Sequence, residues 1–168
     1  MIRARVLKKD PAAIHQLGGK YVGGELGLQK DMRRAVELWT EAAELGSVNA
    51  LHNLGVLYAC GDGVPEDRAK AAEFYEKAAM QGHAGSRCNL GLYEAKRGNH
   101  DRAVKHLLIS SKMGLMESVE IIKKMFMGGM ATKEQYAEAL RGYQDAVAEM
   151  ESRDRDEAKV LRKIKTTH

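Results

Sequence analysis

The sequence predicts an all-α protein, a solenoid of about four stacked helix hairpins. Three observations carry that prediction. A Leu-Gly pair recurs at Leu17-Gly18, Leu54-Gly55 and Leu90-Gly91, 37 and then 36 residues apart, and repetition at such a period marks a repeat architecture. Within the units the apolar residues keep a helical period: Leu54, Leu57 and Tyr58, then Ala71, Phe74, Tyr75 and Ala78. Aromatics make up only 5% of the 168 residues while Ala, Leu, Glu and Lys abound, a bias toward helix over sheet.

Residues 1–10 read as a basic leader, followed by hairpins at about 11–47, 48–83, 84–115 and 116–150 and a charged tail at 151–168 that could form a capping helix. In each first helix a small residue (Ala13, Ala50, Ser86) stands four before the aligned leucine. Each second helix aligns on Ala35, Ala71 or Ala103, with Trp39, Tyr75 or Leu107 four further on. Small residues let two helices approach, and the large side chains fill the space beside them. Gly46 and Gly82 fall where a helix must stop, as C-caps that accept a left-handed backbone. The fourth unit keeps only Ser118, Ile122, Phe126, Ala139 and Tyr143 in register, and Thr132-Lys133-Glu134-Gln135 reads as a capping box opening its second helix.

The loop around Gly61-Asp62-Gly63 raises the question of phosphate binding, because glycine before a helix N-terminus often serves that purpose. No strand precedes it, as nucleotide fingerprints require, and a related loop recurs at residues 21–39 in step with the repeat. It therefore reads as the turn of a hairpin, with Pro65 near the start of the second helix and Asp67 capping it.

These residues closely resemble the Sel1-like repeat, a relative of the tetratricopeptide repeat. The second unit carries the pattern almost throughout: Ala50, Leu54-Gly55, Tyr58, Gly61, Gly63-Val64, Asp67, Lys70-Ala71, Phe74-Tyr75, Lys77-Ala78-Ala79 and Gly82. The resemblance extends over about residues 11–150. It implies a right-handed α-solenoid that scaffolds other proteins, with members acting as adaptors in multiprotein complexes. Some relatives carry a RING-like zinc module, whose Cys-x2-Cys pairs do not occur here, so the chain reads as a fragment or a stand-alone relative. The β-lactam binding of a cysteine-rich branch is not carried over, because no hairpin here has cysteines at both ends.

Composition narrows the function classes. The net charge of +4 resides in the ends: residues 1–9 carry +4 and residues 159–168 carry +4, which leaves −4 for the rest. A mildly acidic body disfavours nucleic-acid binding, which needs a positive face. No apolar run approaches the length of a membrane span, no secretory signal is evident, and two cysteines do not make a disulfide framework. The expectation is an intracellular, cytoplasmic protein without cofactor.

The repeat register supplies the candidate site. Two residues before each aligned leucine stand His15, His52, Cys88 and, in the fourth unit, Glu120. By the resemblance this position faces the concave groove, and with Val56, Leu92 and Lys124 it forms a candidate partner-binding strip. A shared metal is disfavoured, because neighbouring helices lie about 8–10 Å apart whereas zinc holds its ligand atoms at about 2.0–2.3 Å. Cys60, Cys88 and His83 have no zinc-finger spacing. Met125, Phe126, Met127 and Met130 cluster near the fourth turn, either as a degenerate core or as an adaptable binding surface. No nucleophile elbow or paired-carboxylate arrangement emerges, so no catalytic residue is assigned.

The expected function is a non-enzymatic scaffold or adaptor that binds a protein or peptide along the concave face. The alternative is anionic-partner binding, to RNA or a membrane surface, through the basic termini, including a stripe of Val160, Leu161 and Ile164 flanked by Lys159, Arg162, Lys163 and Lys165. Exposed solenoid ends also offer a route to homo-oligomers.

Overall fold

The computed structural model describes residues 2–25 and 27–166, with the side chains of residue 3 and of residues 161–166 outside the description. Among the described residues the regular elements are all α-helices: α1 (Ile2–Leu7), α2 (Pro11–Gly23), α3 (Met32–Glu44), α4 (Val48–Cys60), α5 (Arg68–Met80), α6 (Ala84–Lys96), α7 (His100–Lys112), α8 (Met116–Met127) and α9 (Lys133–Thr166). The chain forms two compact units, residues 1–93 and residues 94–168.

In the first unit α2 packs on α3 and α4 on α5, the hairpins expected from the repeat, and α3 packs on α4. The core is built where the apolar period places it, from Ile14, Leu38, Trp39, Ala42, Ala50, Leu54 and Leu57. Burying a side chain such as Leu54 or Ile14 is worth about 1.5–3 kcal/mol. A second cluster of Ala71, Tyr75, Ala79 and Leu90 continues it. The stretch read as a basic leader folds as α1, which packs on α2, and Val6 covers part of the first core.

Two glycines set how closely the helices of these hairpins approach. A Cβ added at Gly18 would fall 2.5 Å from the Trp39 ring, and one at Gly55 would fall 2.5 Å from the Tyr75 ring. Atoms do not approach that closely, so the aromatic ring occupies the space that any larger residue would need. Trp39 Nε1 also donates to the carbonyl of His15 at 3.0 Å, satisfying the indole where it is buried.

The caps follow the sequence. Asp10, Asp31, Ser47 and Asp67 each accept backbone N–H groups at the start of the following helix. Gly46 and Gly82 take positive φ, and the paired bonds Ser47 N to Ala42 O and Gly46 N to Ala43 O recur at His83 and Gly82, a Schellman arrangement that uses up the last carbonyls. The two hairpin loops close alike: Asp67 N donates to Tyr58 O at 2.8 Å and Asp31 N to Tyr21 O at 3.0 Å. The glycine loop bends the chain, and α5 begins only at Arg68, so Pro65 lies outside the helix.

In the second unit α7, α8 and α9 pack against one another. Val104, Leu107, Val119, Ile122, Met125 and Ala139 are buried. Ser110 and Ser118, in the small register positions, join by a 2.6 Å hydroxyl contact. Lys112 reaches Glu138 at 2.7 Å. The capping box is present reciprocally: Thr132 N donates to Gln135 Oε1 at 2.8 Å and Gln135 N to Thr132 Oγ1 at 3.1 Å.

The tail, for which a capping helix was one expectation, is helical as far as Thr166, because α9 runs without interruption from Lys133. Residues 151–166 contain neither Gly nor Pro, and Arg153 pairs with Glu149 and Lys159 with Asp156 one turn apart, which supports an exposed helix.

The glycine contacts yield a stability prediction. Gly55→Ala should destabilise the protein by about 1–3 kcal/mol through overpacking against Tyr75. Gly19→Ala, in the same helical context but with nothing within 4 Å of an added Cβ, should stabilise it by about 0.5–1 kcal/mol. Urea unfolding of the two variants checks both signs.

Candidate partner-binding site

The residues predicted from the register fall in both units. In the first unit, His15 of α2 and His52 of α4 are half-buried, and each is engaged by the structure. The His15 ring stacks on Trp39 at 6.0 Å, and its Nε2 lies 2.9 Å from Asn53 Nδ2. An amide nitrogen can only donate, so His15 accepts at Nε2. Burial holds its pKa below the ordinary imidazole value.

His52 Nδ1 lies 2.9 Å from the Ser86 hydroxyl of α6. Its ring stacks on His83 with centroids 4.4 Å apart and tilts on Tyr75 at 5.8 Å. Burial first, and the neighbouring His83 second, push its pKa down to about 4. His83 Nδ1 accepts from Ser86 N–H at 3.0 Å, and burial lowers its pKa as well. The two histidines of the strip are therefore ties between elements as much as surface.

Cys88 does not belong to the strip. It is 1% exposed and sits in the core, because a small thiol at this position is covered where the longer histidines reach outward. Val56, one turn beyond His52, is 36% exposed, although Leu54 and Leu57 beside it are buried. Leu92 is half-buried. In the second unit Glu120 and Lys124 lie exposed one turn apart on α8.

The other candidates separate in the same way. Among the described residues no group of three or more His, Cys, Asp or Glu could hold a metal ion, and Cys60 and Cys88 form no disulfide. Met125 is core, whereas Phe126, stacked on Tyr136 at 6.1 Å, and Met127 and Met130 are exposed. Of the basic ends, Arg5 is paired with Asp10 at 2.7 Å and Lys159 with Asp156 at 3.0 Å. Val160 is exposed, and the side chains of Leu161, Arg162, Lys163, Ile164 and Lys165 lie outside the described residues. Among the described residues no helix is long and apolar enough to cross a membrane.

Sequence reasoning missed the roles of Asn53 and His83, and saw Ser86 only as a small core residue. The signal for His83 was available: it follows Gly82 as Ser47 follows Gly46, and Ser47 caps α4.

Caps, glycine-aromatic contacts and recurring loops define a helix-hairpin repeat protein. Residues 11–47, 48–83 and 85–115 match the Sel1 repeat, and the chain belongs to that family. Repeats of this family generally mediate protein–protein interactions. Protein SHC1 of Saccharomyces cerevisiae is 34% identical over 83 residues, covering 49% of this chain and 16% of that protein. Cytochrome c oxidase assembly factor 7 of Mus musculus is 37% identical over 83 residues, covering 45% of this chain and 36% of that protein. The chain thus spans well under half of either relative.

Among solved structures, a protective antigen of uropathogenic Escherichia coli strains displaying an SLR fold aligns with a TM-score of 0.74 at 27% identity, over 88% of this chain and 32% of that one. A Sel1 repeat protein from Oxalobacter formigenes aligns with a TM-score of 0.74 at 24% identity, over 88% and 62%. The fold class is the all-α repeat solenoid of these SLR proteins.

The histidine ties make stability depend on pH. His15, His52 and His83 all have imidazoles harder to protonate folded than unfolded. Protons therefore favour the unfolded chain, and stability present above the unfolded value of 6.5 is lost as pH falls, for His52 down to about 4. The urea midpoint should decline between pH 7 and pH 5, and His52→Gln should flatten that decline. An unchanged midpoint over this range would contradict the assignment.

Proposed function

We propose that this chain is a non-enzymatic scaffold that binds a partner protein or peptide through the outward strip of its first helices. In the first unit the strip comprises Val56 and the edges of His15, His52 and Leu92; in the second it comprises Glu120 and Lys124. The observation that supports this reading most is Val56, exposed on a helix whose neighbouring Leu54 and Leu57 are buried. Its side chain is spare for packing and available to a ligand. Repeat arrays suit this role because their lining can vary while the core stays intact. Similarity to a protein named as an assembly factor agrees with it.

The core and the strip use different residues, so binding and folding should separate under mutation. Val56→Arg places a charge where a partner's apolar contact would sit. The expected outcome is a loss of about tenfold or more in affinity, the effect of removing one good anchor, with an unchanged circular dichroism spectrum and unfolding midpoint. Quantitative affinity capture from native extract at high salt, wild type against Val56→Arg and Lys124→Glu, provides the measurement. Identical capture by all three proteins would remove the strip from consideration. Capture of nothing but nucleic acid, shed as salt rises, would move binding to the basic ends.

A further inference from the structure

The stacked histidines raise a question that partner binding does not answer. α4 is capped by Ser47, whose hydroxyl accepts from Ala50 N–H three residues on at 3.3 Å. At the same register position before α6 stands His83, whose Nδ1 accepts from Ser86 N–H three residues on at 3.0 Å, while its carbonyl accepts the first helical bond from Arg87 N at 3.1 Å. An imidazole nitrogen does here what a serine hydroxyl does one repeat earlier. We propose that His83 is a proton-sensitive N-cap, built so that acidification releases the first turn of α6 from α4 and α5.

The chemistry follows from the donor. A backbone N–H cannot accept, so His83 Nδ1 must be unprotonated for the cap to exist. Protonation at Nδ1 sets N–H against N–H across 3.0 Å and adds a cation to the positive end of a helix dipole. Both effects oppose the cap. The carboxyl caps Asp10, Asp31 and Asp67 keep an acceptor oxygen whether or not a proton binds, so among these caps His83 is the one that a proton disables.

The surroundings supply no compensating charge. From α4, His52 lies over His83 at 4.4 Å and shares the Ser86 hydroxyl, at 2.9 Å from His52 Nδ1 and 3.0 Å from His83 Nδ1. From α5, Tyr75 faces His52, its hydroxyl kept neutral by burial that pushes its pKa up to about 12. From α6 the charged neighbour is Arg87, whose Nη2 donates to Ala79 O at 2.9 Å. Among the described residues neither imidazole pairs with a carboxylate. A proton on either ring therefore meets another imidazole. Because Ser86 is also the residue that His52 holds, loss of the cap loosens the tie between α4 and α6.

The amide of Ser86 reports the cap directly. Hydrogen exchange, corrected for the intrinsic pH dependence, should show its protection falling several-fold from pH 7 to pH 5, the direction that linkage to an imidazole harder to protonate when folded requires. The amide of Leu54, in the body of α4, should lose less protection over the same range, because it follows only the decline of the core. His83→Ser, which installs the residue that caps α4, should remove most of the excess fall of Ser86 over Leu54. In the wild-type protein the fall should begin near the unfolded imidazole value of 6.5 and level off at the ring titration of His83 followed by NMR. A Ser86 fall no larger than that of Leu54, an excess that survives undiminished in His83→Ser, or a fall that continues well below the His83 ring titration would each overturn the proposal.

Discussion

In the first two hairpins, two helices approach at a residue without a side chain while an aromatic ring from the second helix lies over the gap. Gly18 under Trp39 and Gly55 under Tyr75 are the same contact made twice, each leaving no room for a Cβ. Much else depends on it. The close approach brings Ala13, Ala35, Ala50 and Ala71 to complete burial or nearly so, and the ring covers area that small residues alone could not. Dense packing of this kind tolerates neither added nor missing volume without cost.

Once the helices are spaced by that contact, polar residues on the first helices fall within reach of the next repeat. Asn53 meets His15 across two repeats, and His52 meets Ser86 in the same way. These bonds give the histidines a structural role while leaving Val56, Glu120 and Lys124 facing outward. The division of labour is physical: residues of the core are small or apolar, residues of the ties are half-buried and bonded, and the remainder is surface on which a partner can act. A protein-binding function fits this division, because binding residues can change without disturbing the contacts that hold each hairpin closed.

Much of this was legible in the sequence because it is local or repeated. The Asp67 cap, the glycine stops at Gly46 and Gly82 and the Thr132–Gln135 box each depend on residues a few positions apart, and each formed as read. The pairing of Gly55 with Tyr75 was legible because a glycine and a large aromatic recur at nearly the same separation, 21 residues from Gly18 to Trp39 and 20 from Gly55 to Tyr75. The ties were not legible, since a bond between His52 and Ser86 depends on rotamers and on the register of two helices 34 residues apart in the chain. Cys88 was misplaced for a related reason. Register gives a position around the helix, but whether that position is covered depends on side-chain length, and a cysteine is too short to reach the surface that a histidine reaches. A helix beyond Met150 was offered by the sequence without being fixed by it, because the repeat period ends there while the residues contain no stop signal.

The central claim is that the glycine and the aromatic ring act as one contact, so that each is needed because of the other. A double-mutant cycle between Gly55→Ala and Tyr75→Leu tests it most directly, with unfolding free energy as the readout. If the claim holds, alanine at position 55 is costly beneath tyrosine and close to neutral beneath leucine, with a coupling of about 1 kcal/mol or more. If the two substitutions add within experimental error, the ring does not set the helix spacing, and the account of what holds these hairpins together is wrong.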